Sequence, residues 1–151
     1  MDTSTVTPRQ ITVVKASWHM LTPIANEAAA MFYQRLFELD PTLKLLFVRD
    51  MEQQGRKLMG MIGIAVNSLD RIDEIVPAIQ ELGRRHIKYG VKYQDYATVA
   101  TALLWTLQQS LKQEFTPEVE AAWTAVYRLL ADTMKEAALA EYNYHYRYGY
   151  G

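Results

Sequence analysis

The chain contains no cysteine. Disulfides, thiolate metal sites, iron–sulfur clusters and cysteine nucleophiles are therefore excluded. It has no excess of charge: 16 basic and 17 acidic residues leave a net charge of −1. A broad nucleic-acid surface is not expected from that balance. It also has no long apolar run. The longest strongly apolar stretch, Leu58 to Val66, is too short to span a bilayer, so no membrane partner is expected. Met1-Asp2-Thr3-Ser4 offers neither the basic start nor the apolar core of a signal peptide. A reducing, cytoplasmic setting is the expectation. Proline and glycine are sparse, 5 and 7 in 151 residues, and strand-like alternation is missing from residues 1–140. Those two absences point to an all-α class. No internal repeat at solenoid periods is present.

What is present is a succession of helical stripes. Thr7-Pro8-Arg9-Gln10 reads as a capping box with proline in the first turn, and Ile11, Val14 and Trp18 follow at helical spacing. This helix should end near Pro23, and a second should run from about Ile24 to Leu39. Asp40-Pro41 breaks it and opens a short turn ending at Phe47. Arg49 to Gln53 looks like a polar connection. A third helix is expected from about Glu52 to Leu69, with Leu58, Met61, Ile62, Ala65, Val66 and Leu69 as its stripe. A fourth should begin at Ile75 or Pro77 and end at Lys88, stopped by Gly90. A fifth should span Tyr93 to Gln113, and Thr116-Pro117-Glu118 should start the sixth.

Three histidines are candidates for chemistry, and they differ in setting. His19 has no clustered partner, and His145 lies in the terminal segment. His86 shares an apolar face with Ile79 and Leu82, while Arg84, Arg85 and Lys88 lie largely on the other side. An imidazole aimed into a core needs a partner, which could be a carbonyl or a metal. Zinc is disfavoured, because no second histidine sits three or four residues away. A haem iron suits one imidazole in apolar surroundings better, since the porphyrin supplies four ligands itself.

Several groups of residues, taken in order, carry a resemblance to a known family. They begin with Trp18, Phe32-Tyr33-Gln34-Arg35-Leu36-Phe37, and Pro41 six residues before Phe47. They continue with Arg56-Lys57-Leu58-Met59, then Leu82-Gly83-Arg84-Arg85-His86 followed by Gly90-Val91. They end with Phe115-Thr116-Pro117, Ala121-Ala122-Trp123 and Tyr127. The set resembles the globin family across nearly the whole chain. Within it the likeness runs to neuroglobin and to bacterial single-domain globins of the Hell's Gate type. The resemblance implies a globin fold over residues 1–140. Helices A, B, C, E, F, G and H would pack around one haem b, with the Pro41 segment as helix C and helix D absent.

The resemblance also assigns roles. It makes His86 the proximal iron ligand, Phe47 the aromatic against the porphyrin, and Leu58 the apolar distal residue. Val91 belongs to the cofactor pocket and Lys57 would reach a propionate at its rim. Gly55 and Ala29 match small residues where two helices cross. Counting 14 back from Phe47 gives Tyr33, and 32 back from His86 gives Gln54. Gln54 also falls on the Leu58–Ile62–Ala65–Leu69 stripe. Both side chains can donate hydrogen bonds to a partly anionic diatomic ligand. That tyrosine–glutamine pair resembles flavohaemoglobins, whose proximal histidine is supported by a tyrosine and a glutamate. Tyr96, ten residues after His86, and Glu136, fifty after, match those positions.

The implied partners are oxygen, nitric oxide and carbon monoxide. The implied function is oxygen binding, extending to conversion of nitric oxide to nitrate. The chain carries no G-x-G-x-x-G fingerprint, so turnover is expected to need a separate reductase. The competing reading is a gas sensor or redox carrier without turnover. Finally, Glu141 to Gly151 places tyrosine at every second position. This terminal extension is expected to be poorly ordered, or else to serve self-association.

Overall fold

The computed structural model describes residues 6–47 and 50–148, with side chains described as far as Tyr144. Six α-helices and four short 3₁₀ segments follow one another, and no strand occurs among the described residues. The helices are α1 (Pro8–Leu21), α2 (Ala25–Leu39), α3 (Met51–Asn67), α4 (Ile72–Lys88), α5 (Asp95–Leu111) and α6 (Pro117–Tyr148).

The helix ends follow from local chemistry. The Thr7 hydroxyl accepts from Gln10 N–H at 3.1 Å, and Gln10 Oε1 accepts from Thr7 N–H at 3.0 Å, closing the capping box. Asp40 accepts from Thr42 N–H at 3.0 Å and so starts the 3₁₀ segment Pro41–Leu46. Asp50 does the same for α3 through Glu52 N–H at 3.2 Å. Gly90, at φ +90°, adopts the left-handed conformation just after α4, which few other residues accept.

Two boundaries differ from the sequence pattern. Helix α4 begins at Ile72, earlier than Ile75 or Pro77. Ile72 is buried and Asp73 and Glu74 occupy the positive end, so the first turn forms ahead of the proline. Pro77 removes only one hydrogen bond there. At the other terminus, α6 runs on through Tyr148. The tyrosines from 142 to 148 therefore continue a helix, although they alternate with the period of a strand. Residues 149–151 lie outside the described residues, as do Val48 and Arg49 of the connection before α3.

Two apolar clusters hold the helices. The larger joins α1, α5 and α6 through Val14, Trp18, Leu107, Ala122, Trp123 and Val126. Within it Trp123 Nε1 donates to Ser17 Oγ at 2.7 Å, which satisfies both buried polar groups. The smaller is built from Phe32, Tyr33, Leu36, Leu43 and Ala102, with half-buried Phe47, Leu58, Val99 and Leu103 against it. Leu103 touches both clusters.

Two helix crossings are close enough to require glycine. A Cβ added to Gly55 would stand 3.0 Å from the Ala29 methyl, tighter than ordinary contact. This is the close approach of α3 to α2 that the small residues anticipate. A Cβ on Gly83 would collide with the backbone of Met134, so α4 lies on α6 almost backbone to backbone. These crossings fix the site. Helix α3 rests on α1 and α2, whereas α4 rests on α6, and the two do not pack along each other. Leu58 on α3 and Leu82 and His86 on α4 consequently stay half-buried.

Candidate functional site

The candidate side chains lie on four helices and just after the 3₁₀ segment. Helix α2 contributes Tyr33, which is 6% exposed. Its ring is fixed by aromatic neighbours, edge-on to Phe32 at 5.1 Å and to Phe47 at 5.2 Å, and stacked on Phe37 at 6.0 Å. Phe47 stands just after the Pro41–Leu46 segment and meets Phe37 at 5.6 Å. Such ring pairs add roughly 0.5–1.5 kcal/mol each beyond burial. They hold the Tyr33 hydroxyl in one place.

Gln54, in the first turn of α3, interacts with that hydroxyl. Burial pushes the Tyr33 pKa up from its usual value, and the hydrogen bond to the Gln54 side chain partly opposes the rise. Tyr33 is thus neutral and a competent donor at any physiological pH. Gln54 is half-buried, whereas Gln53 is exposed. One turn further, Leu58 packs into the same cluster as Tyr33 and Phe47. Lys57 is exposed.

Helix α4 carries the candidate metal ligand. His86 Nδ1 lies 2.8 Å from the Leu82 carbonyl oxygen. A carbonyl only accepts, so Nδ1 carries the proton and donates. The tautomer follows: Nε2 keeps its lone pair. Burial lowers the His86 pKa, which also keeps the ring neutral. This is the form of imidazole that ligates a metal, with its other nitrogen oriented by a carbonyl. Val91 N–H donates to the His86 carbonyl at 3.0 Å, and its half-buried side chain lies just past the turn at Gly90.

Helix α5 touches both groups. Tyr96, Val99 and Leu103 follow at helical spacing. Tyr96 stacks on the His86 ring at 6.3 Å, while Val99 and Leu103 pack with Phe47 and Leu58. The Tyr127 hydroxyl donates to the Tyr96 carbonyl at 2.6 Å and pins that turn. Burial, with Tyr96 close by, pushes the Tyr127 pKa far upward.

One expected member is not brought in. Glu136 is exposed on α6, and the nitrogen it would have to reach is already bonded to Leu82. The α6 residue that faces Tyr96 is instead Lys135, whose Nζ stands 5.7 Å from the Tyr96 ring and 4.8 Å from the Tyr93 ring. Among the described residues no contact joins Glu136 to His86. The rotation of α6 decides between neighbouring positions, and the sequence count could not resolve it. Lys135 left no sequence signal of its own.

The donor chemistry tests what the site can hold. Among the described residues no group of three or more His, Asp or Glu side chains is placed to bind a bare ion. One neutral imidazole facing half-buried apolar and aromatic groups fits a metal that brings its own equatorial ligands, and a flat apolar disc around it. The described helices include none long and apolar enough to cross a membrane.

Comparison with known proteins agrees with this geometry. The family model described as Globin matches residues 30–134. A neuroglobin of Tetraodon nigroviridis is 31% identical over 136 residues, covering 81% of this chain and 86% of that protein. A flavohemoprotein of Vibrio cholerae is 28% identical over 139 residues, covering 89% of this chain. The chain spans about a third of the length of the flavohemoproteins it matches, 35% and 33% in two cases. Among solved structures, a hexacoordinated heme protein from an anhydrobiotic tardigrade superposes with a TM-score of 0.79 at 18% identity, covering 88% of this chain and 95% of that one.

Proposed function

The chain belongs to the globin family, and from that premise we propose that it binds haem b through His86 and holds oxygen with Tyr33 and Gln54. The observation that carries this reading is the His86 tautomer. Nδ1–H donates to the Leu82 carbonyl, which leaves the Nε2 lone pair available to a metal. When bound, haem iron supplies reversible ligation of oxygen, nitric oxide and carbon monoxide and, with one electron from a reductase, conversion of nitric oxide and oxygen to nitrate.

The chain's own residues set the rest. Phe47, Leu58 and Val91 present apolar surface to the porphyrin and exclude water. Tyr33 O–H and Gln54 N–H donate toward a polar diatomic ligand, each charge-assisted bond being worth roughly 1.5–3 kcal/mol. Neither group changes charge between about pH 5 and about pH 8, so ligand retention does not depend on a titrating distal residue. Exposed Lys57 stands at the α3 rim, where it can pair with a propionate. The distal position carries Gln54 where a histidine could stand, so Tyr33 and Gln54 would be the polar groups nearest a bound gas. Tyr96 holds the plane of the His86 ring.

The test has two arms. Haem titrated into the purified chain should bind one to one. The oxygenated protein, mixed with nitric oxide and resupplied with electrons by an added reductase, should form nitrate over repeated turnovers. Failure of the first arm refutes the whole reading. Success of the first with a single turnover in the second makes the protein a carrier or sensor in place of a dioxygenase.

A further inference from the structure

On the side of α5 that faces α6, away from Val99 and Leu103's contacts with Phe47, a groove of about 300 Å³ lies open to solvent. That volume is at the small end of ligand pockets. Its floor is apolar: Ala97, Ala100, Leu103, Leu104 and Ala131. The three alanines are the reason it exists, because methyl groups on facing helices leave space that larger side chains would fill. Leu103 and Leu104 remain half-buried rather than buried.

The rim is charged and unequal. Lys135 is paired with Asp132 at 3.6 Å and lies over the Tyr93 and Tyr96 rings. The Tyr127 hydroxyl is committed to the Tyr96 carbonyl. Arg128, exposed at the same rim, makes no ion pair or hydrogen bond among the described residues. The groove therefore offers a greasy channel with one free guanidinium at its edge. Such a fork matches a carboxylate better than a neutral head group.

We propose that this groove binds a medium-chain carboxylic acid, its carboxylate on Arg128 and its chain along the alanine and leucine floor. The space shelters on the order of ten methylene-sized units, so a chain of about ten carbons is a suitable probe. Tyr96 lines one end of the groove and stacks on His86, so the two sites are neighbours across that ring.

The experiment is calorimetric titration of decanoate into the full-length, haem-loaded protein, with decanol as the neutral probe of equal length. One decanoate should bind per chain. Arg128→Ala should weaken decanoate about tenfold and leave decanol unchanged. Ala97→Trp, at an exposed position of the groove, should abolish both. No saturable binding, or a decanoate affinity in Arg128→Ala equal to that of wild type, would overturn the proposal. So would binding that survives Ala97→Trp but is lost when carbon monoxide saturates the protein, since that places the acid in the His86 pocket. A dimer that Ala97→Trp dissociates, with no acid bound, would assign the groove to a second copy and also overturn it.

Discussion

Replacing Tyr33 with phenylalanine removes one hydroxyl from a ring that three aromatic contacts hold in place. Phe32, Phe37 and Phe47 pack on the ring, at centroid distances of 5.1, 6.0 and 5.2 Å, and none of them needs the oxygen. The variant therefore keeps its packing and loses only what the hydroxyl does. In the free protein the hydroxyl interacts with Gln54. With oxygen bound, the proposed hydrogen bond is charge-assisted and worth roughly 1.5–3 kcal/mol, about ten- to hundredfold in affinity. The bond forms only after capture, so the loss falls on dissociation rather than association. Carbon monoxide is less polarised and should be affected much less. Stopped-flow displacement of oxygen by carbon monoxide reads the rate directly. Wild type should show no pH dependence from about pH 6 to about pH 9, because burial holds the Tyr33 pKa above its ordinary 10.0. Equal oxygen dissociation rates in wild type and Tyr33→Phe would refute the reasoning. Gln54→Leu should act in the same direction, and the double variant should be non-additive if both donors share one network.

Other perturbations follow from the same structure. In haem-free protein the depressed His86 pKa makes folding favour the neutral ring, so the unfolded chain binds the extra proton as pH falls below about 6.5. Stability should be full above that pH and decline on acidification, with a shallower decline in His86→Phe, as read by urea melts across pH. Gly83→Val should destabilise the protein by about 1–3 kcal/mol or more, because its side chain meets the Met134 backbone, which cannot move aside like a flexible side chain. Denaturant unfolding measures it, and a neutral result would mean that α4 and α6 sit further apart. Ser17→Ala strands the Trp123 indole N–H in the core and should cost about 1–3 kcal/mol in the same assay.

Much of this arrangement was legible in the chain because its punctuation is strong. Thr7-Pro8-Arg9-Gln10, Asp40-Pro41, Gly90 and Thr116-Pro117 all mark helix ends by local chemistry, and local chemistry is what one sequence contains. Gln54 was separable from Gln53 because a helical stripe has a phase. Two things were less accessible. The start of α4 at Ile72 depended on tertiary burial of that residue, which outweighed the proline signal at Pro77. That Lys135 meets the Tyr96 ring while Glu136 is exposed depended on the rotation of a long helix about its axis. One residue is about 100° of that rotation, and counting along the chain does not fix it. The tyrosine alternation after residue 141 has the period of a strand, yet α6 carries its helical backbone on through Tyr148, because no partner strand is present among the described residues.

The central claim is that His86 holds the haem. The most direct measurement is the absorption spectrum of haem-titrated His86→Ala, with and without added imidazole, beside wild type and a His19→Ala control. Wild type and His19→Ala should each take up one haem and give the same Soret band. His86→Ala should lose most of its haem and recover it when imidazole replaces the missing ring. An unchanged five-coordinate ferrous spectrum and full haem content in His86→Ala would contradict the account.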